Sequence, residues 1–289
     1  VPADKDTTPF VLDSGTGSPV LFVHGQPGLG RDWQPVVEAL QALGDQDHKP
    51  VRVLVPDRPG WGSSPEPATG IADNAAWLEQ ALAGLVGDEP VLVVGHSFGG
   101  GVAIRLALAR PRRVRALVLV SSIGSGAALS RLDRALARPV MGEGIVRGGV
   151  FAARRLGRVV RRAVEGPERH AEIASRVENM PVLRALAGDE PITERAWRSF
   201  LVEQRALVDE TRLLERSLAT VSVPTVIIAG SKDHIVPAPA TRALAAAIPG
   251  AELITVPRAG HLVPTESPDL VAAAIVRYLD LTAGRTGPG

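Results

Sequence analysis

Apolar residues along the chain fall into two textures. Near-continuous apolar runs occur at Pro19 to Val23, Val51 to Val55, Val91 to Val94, Val114 to Val120, Pro224 to Ala229 and Glu252 to Val256. Short runs with little polar alternation are the mark of strands buried on both faces. A shorter strand is expected at Thr8 to Leu12. Between these runs, Trp33 to Leu43, Ile71 to Leu85, Val102 to Ala109, Thr241 to Ala247 and Asp269 to Leu281 place apolar residues at helical spacing. Strands that alternate with helices predict parallel β-α-β units, hence an α/β fold with helices on both faces of the sheet. From about Ser125 to Leu218 the pattern turns helical and rich in Arg and Glu. That block reads as an insertion between two sheet strands.

The most informative stretch runs from residue 91 to 101, Val-Leu-Val-Val-Gly-His-Ser-Phe-Gly-Gly-Gly. It is G-x-S-x-G between an apolar strand and a helical pattern, the context that gives this motif meaning. A sharp strand-to-helix turn exposes the Ser97 hydroxyl. Gly95 and Gly99 carry no Cβ, so strand and helix can approach closely around it. The helix start aims free N–H groups at the place where an oxyanion would form. Ser97 is therefore the candidate nucleophile.

Functional residues of open α/β sheets gather beyond the carboxyl ends of the strands. Four strand ends here bring Gln26, Ser97, Asp233 and His261. The order Ser, Asp, His belongs to one hydrolase fold and differs from the two protease orders. With these residues the chain resembles the α/β-hydrolase family, serine hydrolases of esterase type with a helical cap. The resemblance runs from Pro19 to about Leu279. It implies an α/β-hydrolase core at 1–124 and 219–289, with a helical cap at 125–218. It also implies a catalytic triad of Ser97, Asp233 and His261, with His261 as base and Asp233 orienting it. The family's other acid position, after the strand ending at Val120, holds Ser121 and Ser122 instead. His24-Gly25-Gln26-Pro27-Gly28 resembles the family's oxyanion loop, so the backbone N–H groups of Gln26 and Phe98 are the expected oxyanion donors. Asp57 to Ser64 resembles a loop that in relatives supports the site. His24 and His96 read as structural.

The implied activity is cleavage of a carboxylic ester of a small or medium-sized substrate through an acyl-enzyme on Ser97. Carbon–carbon bond hydrolases and cofactor-free haloperoxidases or perhydrolases share the triad and stand as alternatives. A small-molecule receptor is the non-enzymatic one. Epoxide hydrolases and haloalkane dehalogenases use an aspartate nucleophile, which Ser97 replaces.

Composition narrows the setting. The 289 residues are 45% apolar and 22% charged with a net charge of +1, so nothing suggests nucleic-acid binding. No apolar run reaches a membrane span. There is no cysteine, and the histidines and carboxylates lack metal-ligand spacing, so no metal and no organic cofactor are expected. A cytoplasmic location is favoured, with a removed signal peptide left open because the chain starts at Val1. The oligomeric state is not specified. Val150 to Val164 sorts into an apolar stripe and an arginine face, read as a cap helix with its arginines in water. Few aromatics occur in the insertion (Phe151, Trp197 and Phe200), which suggests an aliphatic pocket lining.

Overall fold

The computed structural model describes residues 10–44, 50–149, 151 and 193–283. The strands β1 (Phe10–Ser14), β2 (Ser18–Val23), β3 (Val51–Pro56), β4 (Val91–His96), β5 (Val114–Val120), β6 (Thr225–Gly230) and β7 (Glu252–Val256) form one sheet in the order β1-β3-β2-β4-β5-β6-β7. Among the described residues, only the β1–β3 pairing is antiparallel. Of the strand expected at Thr8 to Leu12, Phe10 to Leu12 lie in β1, and the first two positions fall outside the described residues.

Side chains along each strand alternate between two cores. Leu21, Val23, Val91, Val93, Leu117 and Leu119 pack under α2 (Ile71–Val86) and α3 (Phe98–Ala109). Val20, Phe22, Leu92, Val94, Val118 and Val120 face α1 (Gln34–Gly44) and the C-terminal helix Pro268–Thr282. Each fully buried Val, Leu or Phe contributes about 1.5–3 kcal/mol, so a central strand cannot slip by one residue without losing both cores.

The expected helices are present, each with small shifts in its ends. α3 starts at Phe98, well before the expected Val102, because the turn at Ser97 leads directly into the helix. Between β5 and β6 lies a helical insertion. It contains α4 (Arg131–Leu136), a helical stretch at 139–149 and the long α5 (Glu194–Ser217). The arginine-faced helix expected at 150–164 falls outside the described residues, apart from an exposed Phe151. α6 (Ala238–Ala247) follows β6; the short α7 (Val263–Glu266) and then α8 (Pro268–Thr282) follow β7.

The loops after β6 and β7 are joined to each other. Ser231 donates to the Val256 carbonyl at 2.9 Å, Lys232 to the Ala259 carbonyl at 2.8 Å, and the Arg258 N–H to Ser231 Oγ at 2.8 Å. Gly230 sits at this seam, where a Cβ would run into the carbonyls of Ala259 and Gly260. Replacing Gly230 by Ala is expected to cost about 1–3 kcal/mol of stability. Urea unfolding measures it, and an unchanged midpoint would refute the tight seam.

Candidate active site

Ser97 occupies the turn between β4 and α3 with φ 52° and ψ −118°, a region that non-glycine residues avoid. Its backbone is held from both sides. The Ser97 N–H donates to the Val120 carbonyl at 3.0 Å, and the Ser97 carbonyl accepts from Gly100 at 3.0 Å and Ile123 at 3.2 Å. The turn needs glycines close by. A Cβ on Gly95 would stand 2.6 Å from Gly100 Cα, and one on Gly99 would strike the Val23 and His24 carbonyls. Phe98 opens α3, so its N–H belongs to the first turn, which has no intrahelical acceptors.

Asp233 and His261 meet at the seam between the β6 and β7 loops. Asp233 Oδ1 accepts from the N–H groups of Ile235 (2.8 Å) and Val236 (2.9 Å), and Oδ2 lies 2.8 Å from His261 Nδ1. One oxygen thus shapes the turn while the other is left for the imidazole. Burial raises the Asp233 pKa, but the bonds from His261, Val236 and Ile235 outweigh it and hold the carboxyl below its ordinary value. An ionised carboxylate only accepts, so the bond to Asp233 selects the imidazole tautomer with its proton on Nδ1, in which Nε2 is the lone-pair nitrogen.

Two residues that sequence reasoning missed in this role hold His261. Glu266 accepts from the N–H groups on either side of it, Gly260 at 2.7 Å and Leu262 at 3.2 Å. A glutamate five positions after the histidine, just ahead of the C-terminal helix, was the available signal. His96 lies ring to ring with His261 at 4.9 Å and donates from Nε2 to the His261 carbonyl at 3.0 Å. His96 is structural as expected, but what it supports is His261 itself. Burial first, then the charge of His261, pushes the His96 pKa down to about 3.

The loop after β2 is built around a buried guanidinium. Arg58 is fully buried. It donates from Nε to the His24 carbonyl at 2.9 Å and from Nη2 to the Gly25 carbonyl at 2.8 Å. Its backbone N–H donates to His24 Nε2 at 3.0 Å, and its guanidinium lies 4.9 Å from the Phe98 ring centre. The peptide between Gly25 and Gln26 is trans, so the Gln26 N–H points opposite to the carbonyl that Arg58 holds. Gly25 brings this loop onto the elbow, since a Cβ there would lie 3.2 Å from Ser97 Cβ. Asp57 bonds Gly30 and Ser63, each through the backbone at 2.8 Å, so it ties two loops together.

The counterion of Arg58 comes from the insertion. Glu203 on α5 pairs with Arg58 and is itself fully buried. Burial pushes the Glu203 carboxyl up, against the pull of Arg58. Other α5 side chains also reach the core. Glu210 accepts from Ile71 (3.2 Å) and Ala72 (2.8 Å) at the start of α2, Ser199 donates to the Gly60 carbonyl at 2.8 Å, and Gln204 meets Gln26 at 2.8 Å. On α5, part of the charged pattern of the insertion is thus turned inward. Among the described residues no cluster of His, Asp or Glu could hold a metal ion. No helix there is long and apolar enough to cross a membrane.

Two outcomes follow from these contacts. Glu203→Ala leaves Arg58 buried without a counterion and is expected to cost on the order of 3–5 kcal/mol. Arg58→Met with Glu203→Leu should cost less than the two single changes added together, by urea unfolding of the four proteins. The second outcome concerns acid. His96 is neutral in the fold down to about pH 3 but binds a proton near its ordinary 6.5 when unfolded. Its contribution is therefore complete above 6.5 and is lost as pH falls, at about 1.4 kcal/mol per pH unit. His96→Gln should make the acid loss of stability shallower between pH 6 and pH 4 (roughly the middle of that window); an unchanged slope would contradict a neutral His96.

Comparison with known proteins agrees with this architecture. Residues 20–274 match the model of the alpha/beta hydrolase family. The chain is 28% identical over 272 residues to a 2-hydroxymuconate semialdehyde hydrolase of Pseudomonas putida, covering 92% of this chain and 89% of that protein. Among solved structures, a thermophilic esterase from Thermogutta terrifontis is 28% identical with a TM-score of 0.64, covering 94% of this chain and 92% of the other. A non-heme bromoperoxidase, BpoC, from Mycobacterium tuberculosis shares the fold at 24% identity and a TM-score of 0.65, over 93% of this chain and 94% of the other. The sheet, the elbow at Ser97 and the match over most of the length place the chain in the alpha/beta hydrolase family.

Proposed function

We propose that this hydrolase cleaves a carboxylic ester of a small or medium-sized organic molecule through an acyl-enzyme on Ser97. The observation that carries the reading is the His261–Asp233 pair at 2.8 Å, joined through His96 to the strained turn at Ser97. A serine hydroxyl is a weak nucleophile near neutral pH, and a lone-pair nitrogen held by a carboxylate is the base it needs. Ser97 Oγ attacks the ester carbonyl and gives its proton to His261 Nε2. The tetrahedral oxyanion is held by the N–H groups of Gln26 and Phe98. Collapse expels the alcohol, which takes the proton from His261. A water then loses a proton to His261 and attacks the acyl carbon. Collapse releases the carboxylic acid, and Ser97 recovers its proton from His261. In this reading the insertion at 125–218 caps the site and shapes the substrate pockets.

One observation favours a second reading. The full-length similarity to a semialdehyde hydrolase raises carbon–carbon bond cleavage with the same three residues. A substrate panel of p-nitrophenyl esters beside a vinylogous dienoic diketone separates the two. The expected result is ester turnover, lowered roughly 10⁴- to 10⁶-fold by Ser97→Ala and about 10⁴-fold by Asp233→Asn. A serine-directed phosphonate should label Ser97. Preferred cleavage of the diketone would replace the ester reading; full ester turnover by Ser97→Ala would remove both.

A further inference from the structure

Three amide or carboxylate side chains link the loop after β2 to the insertion. Gln26 Nε2 donates to Gln204 Oε1 at 2.8 Å, and Gln204 Nε2 donates to Asp133 Oδ1 at 2.8 Å. The direction of this relay is set at its far end. Asp133 closes the start of α4, where its Oδ2 accepts from the Ser130 N–H at 2.7 Å. A carboxylate can only accept, so Gln204 must turn its NH₂ toward Asp133 and its oxygen toward Gln26. Gln26 must in turn offer its own NH₂ to Gln204. Gln26 Oε1 is then left facing away from the relay. It is buried and has no hydrogen-bond partner among the described residues.

A buried acceptor without a donor costs about 1–3 kcal/mol, so native structures seldom leave one idle. This one belongs to the residue whose N–H is the proposed oxyanion donor, in a loop packed on Ser97. We infer that Gln26 Oε1 recognises a hydrogen-bond donor, a hydroxyl or amide N–H, carried by the substrate close to its scissile carbonyl. The inference rests on the ester-hydrolase reading and narrows it to hydroxylated or amide-bearing esters. Gln26 would thus use its backbone for the oxyanion and its side chain for selection. Gln204 and Asp133 are positioning residues, since they act by fixing which end of the Gln26 amide faces the substrate.

The test compares kcat/KM for ethyl butyrate with four donor-bearing esters: ethyl 2-hydroxybutyrate, ethyl 3-hydroxybutyrate, N-acetylglycine ethyl ester and 2-hydroxyethyl butyrate. At least one of the four should exceed ethyl butyrate by roughly 10- to 100-fold in the wild type. Gln26→Leu should bring that ratio close to one. Gln204→Leu serves as a second variant and should lower the ratio too, because the Gln26 amide is then free to turn over. Asp133→Asn gives the sharpest readout. Ser130 N–H still requires an oxygen, so the new NH₂ must face Gln204, and the whole relay reverses. The donor preference should disappear, and ethyl 3-methoxypropanoate, which offers only an acceptor, should gain relative to ethyl 3-hydroxybutyrate. A merely structural role for Asp133 would lower all these rates together. If ethyl butyrate is cleaved with no donor preference, or the ratio survives Gln26→Leu, the inference is overturned while the ester reading stands. If no ester is cleaved, both fall.

Discussion

The site depends on one buried cation. The Arg58 guanidinium touches the His24 and Gly25 carbonyls, Asn74 on α2, the Phe98 ring at the start of α3, and Glu203 on α5. Taking an isolated charge out of water costs several kcal/mol even after relaxation. The cation is therefore acceptable only when all of these partners are assembled around it. That condition couples four pieces of chain that are far apart in sequence. It also orients the Gly25–Gln26 peptide, because a carbonyl held by Arg58 leaves the N–H of the same plane no other direction. The ion pair adds little to net stability compared with a well-packed apolar pair. Its effect is on which arrangement of the loops is permitted.

Around that centre, several groups are held in states they would not choose alone. Ser97 adopts a backbone conformation disfavoured for a residue with a Cβ. His24 and His96 are both kept neutral by burial, and each needs one bare ring nitrogen or one N–H in a stated place. The folded frame absorbs these costs through two large cores on opposite faces of the sheet. The chemistry can then begin from groups already in position, with little reorganisation left for the reacting step.

Much of this was legible in the sequence. The two periodicities of apolar residues located the sheet and its helices to within a few positions, because fully buried strands have no need of polar alternation. Gly95 to Gly99 marked the elbow for a steric reason that any close strand–helix crossing imposes. Asp233 and His261 could be picked out by their places after apolar runs. The support around them was not legible. Glu203, Gln204 and Glu210 sit in a helical block rich in Arg and Glu whose composition does not say which charges are buried, and only the three-dimensional path of α5 turns these residues inward. Glu266 and His96 act through backbone groups of the His261 loop, and backbone contacts leave almost no trace in residue identity. The later start expected for α3 had a similar source, since three consecutive glycines look like a loop until the crowding against Val23, His24 and Ser122 is seen.

The inward stripe of α5 bears on how such proteins can be recombined. The insertion sits at one point in the chain, so it looks like a detachable module that could be exchanged between relatives to transfer selectivity. The side chains argue otherwise. α5 supplies the carboxylate that neutralises Arg58 and the one that closes the start of α2. A chimera grafting a foreign insertion at the same junctions would inherit a core with an uncompensated charge beneath the loop after β2. Successful grafts would have to bring a carboxylate at the Glu203 position or remove Arg58 in the recipient, whatever the fit of the new pocket.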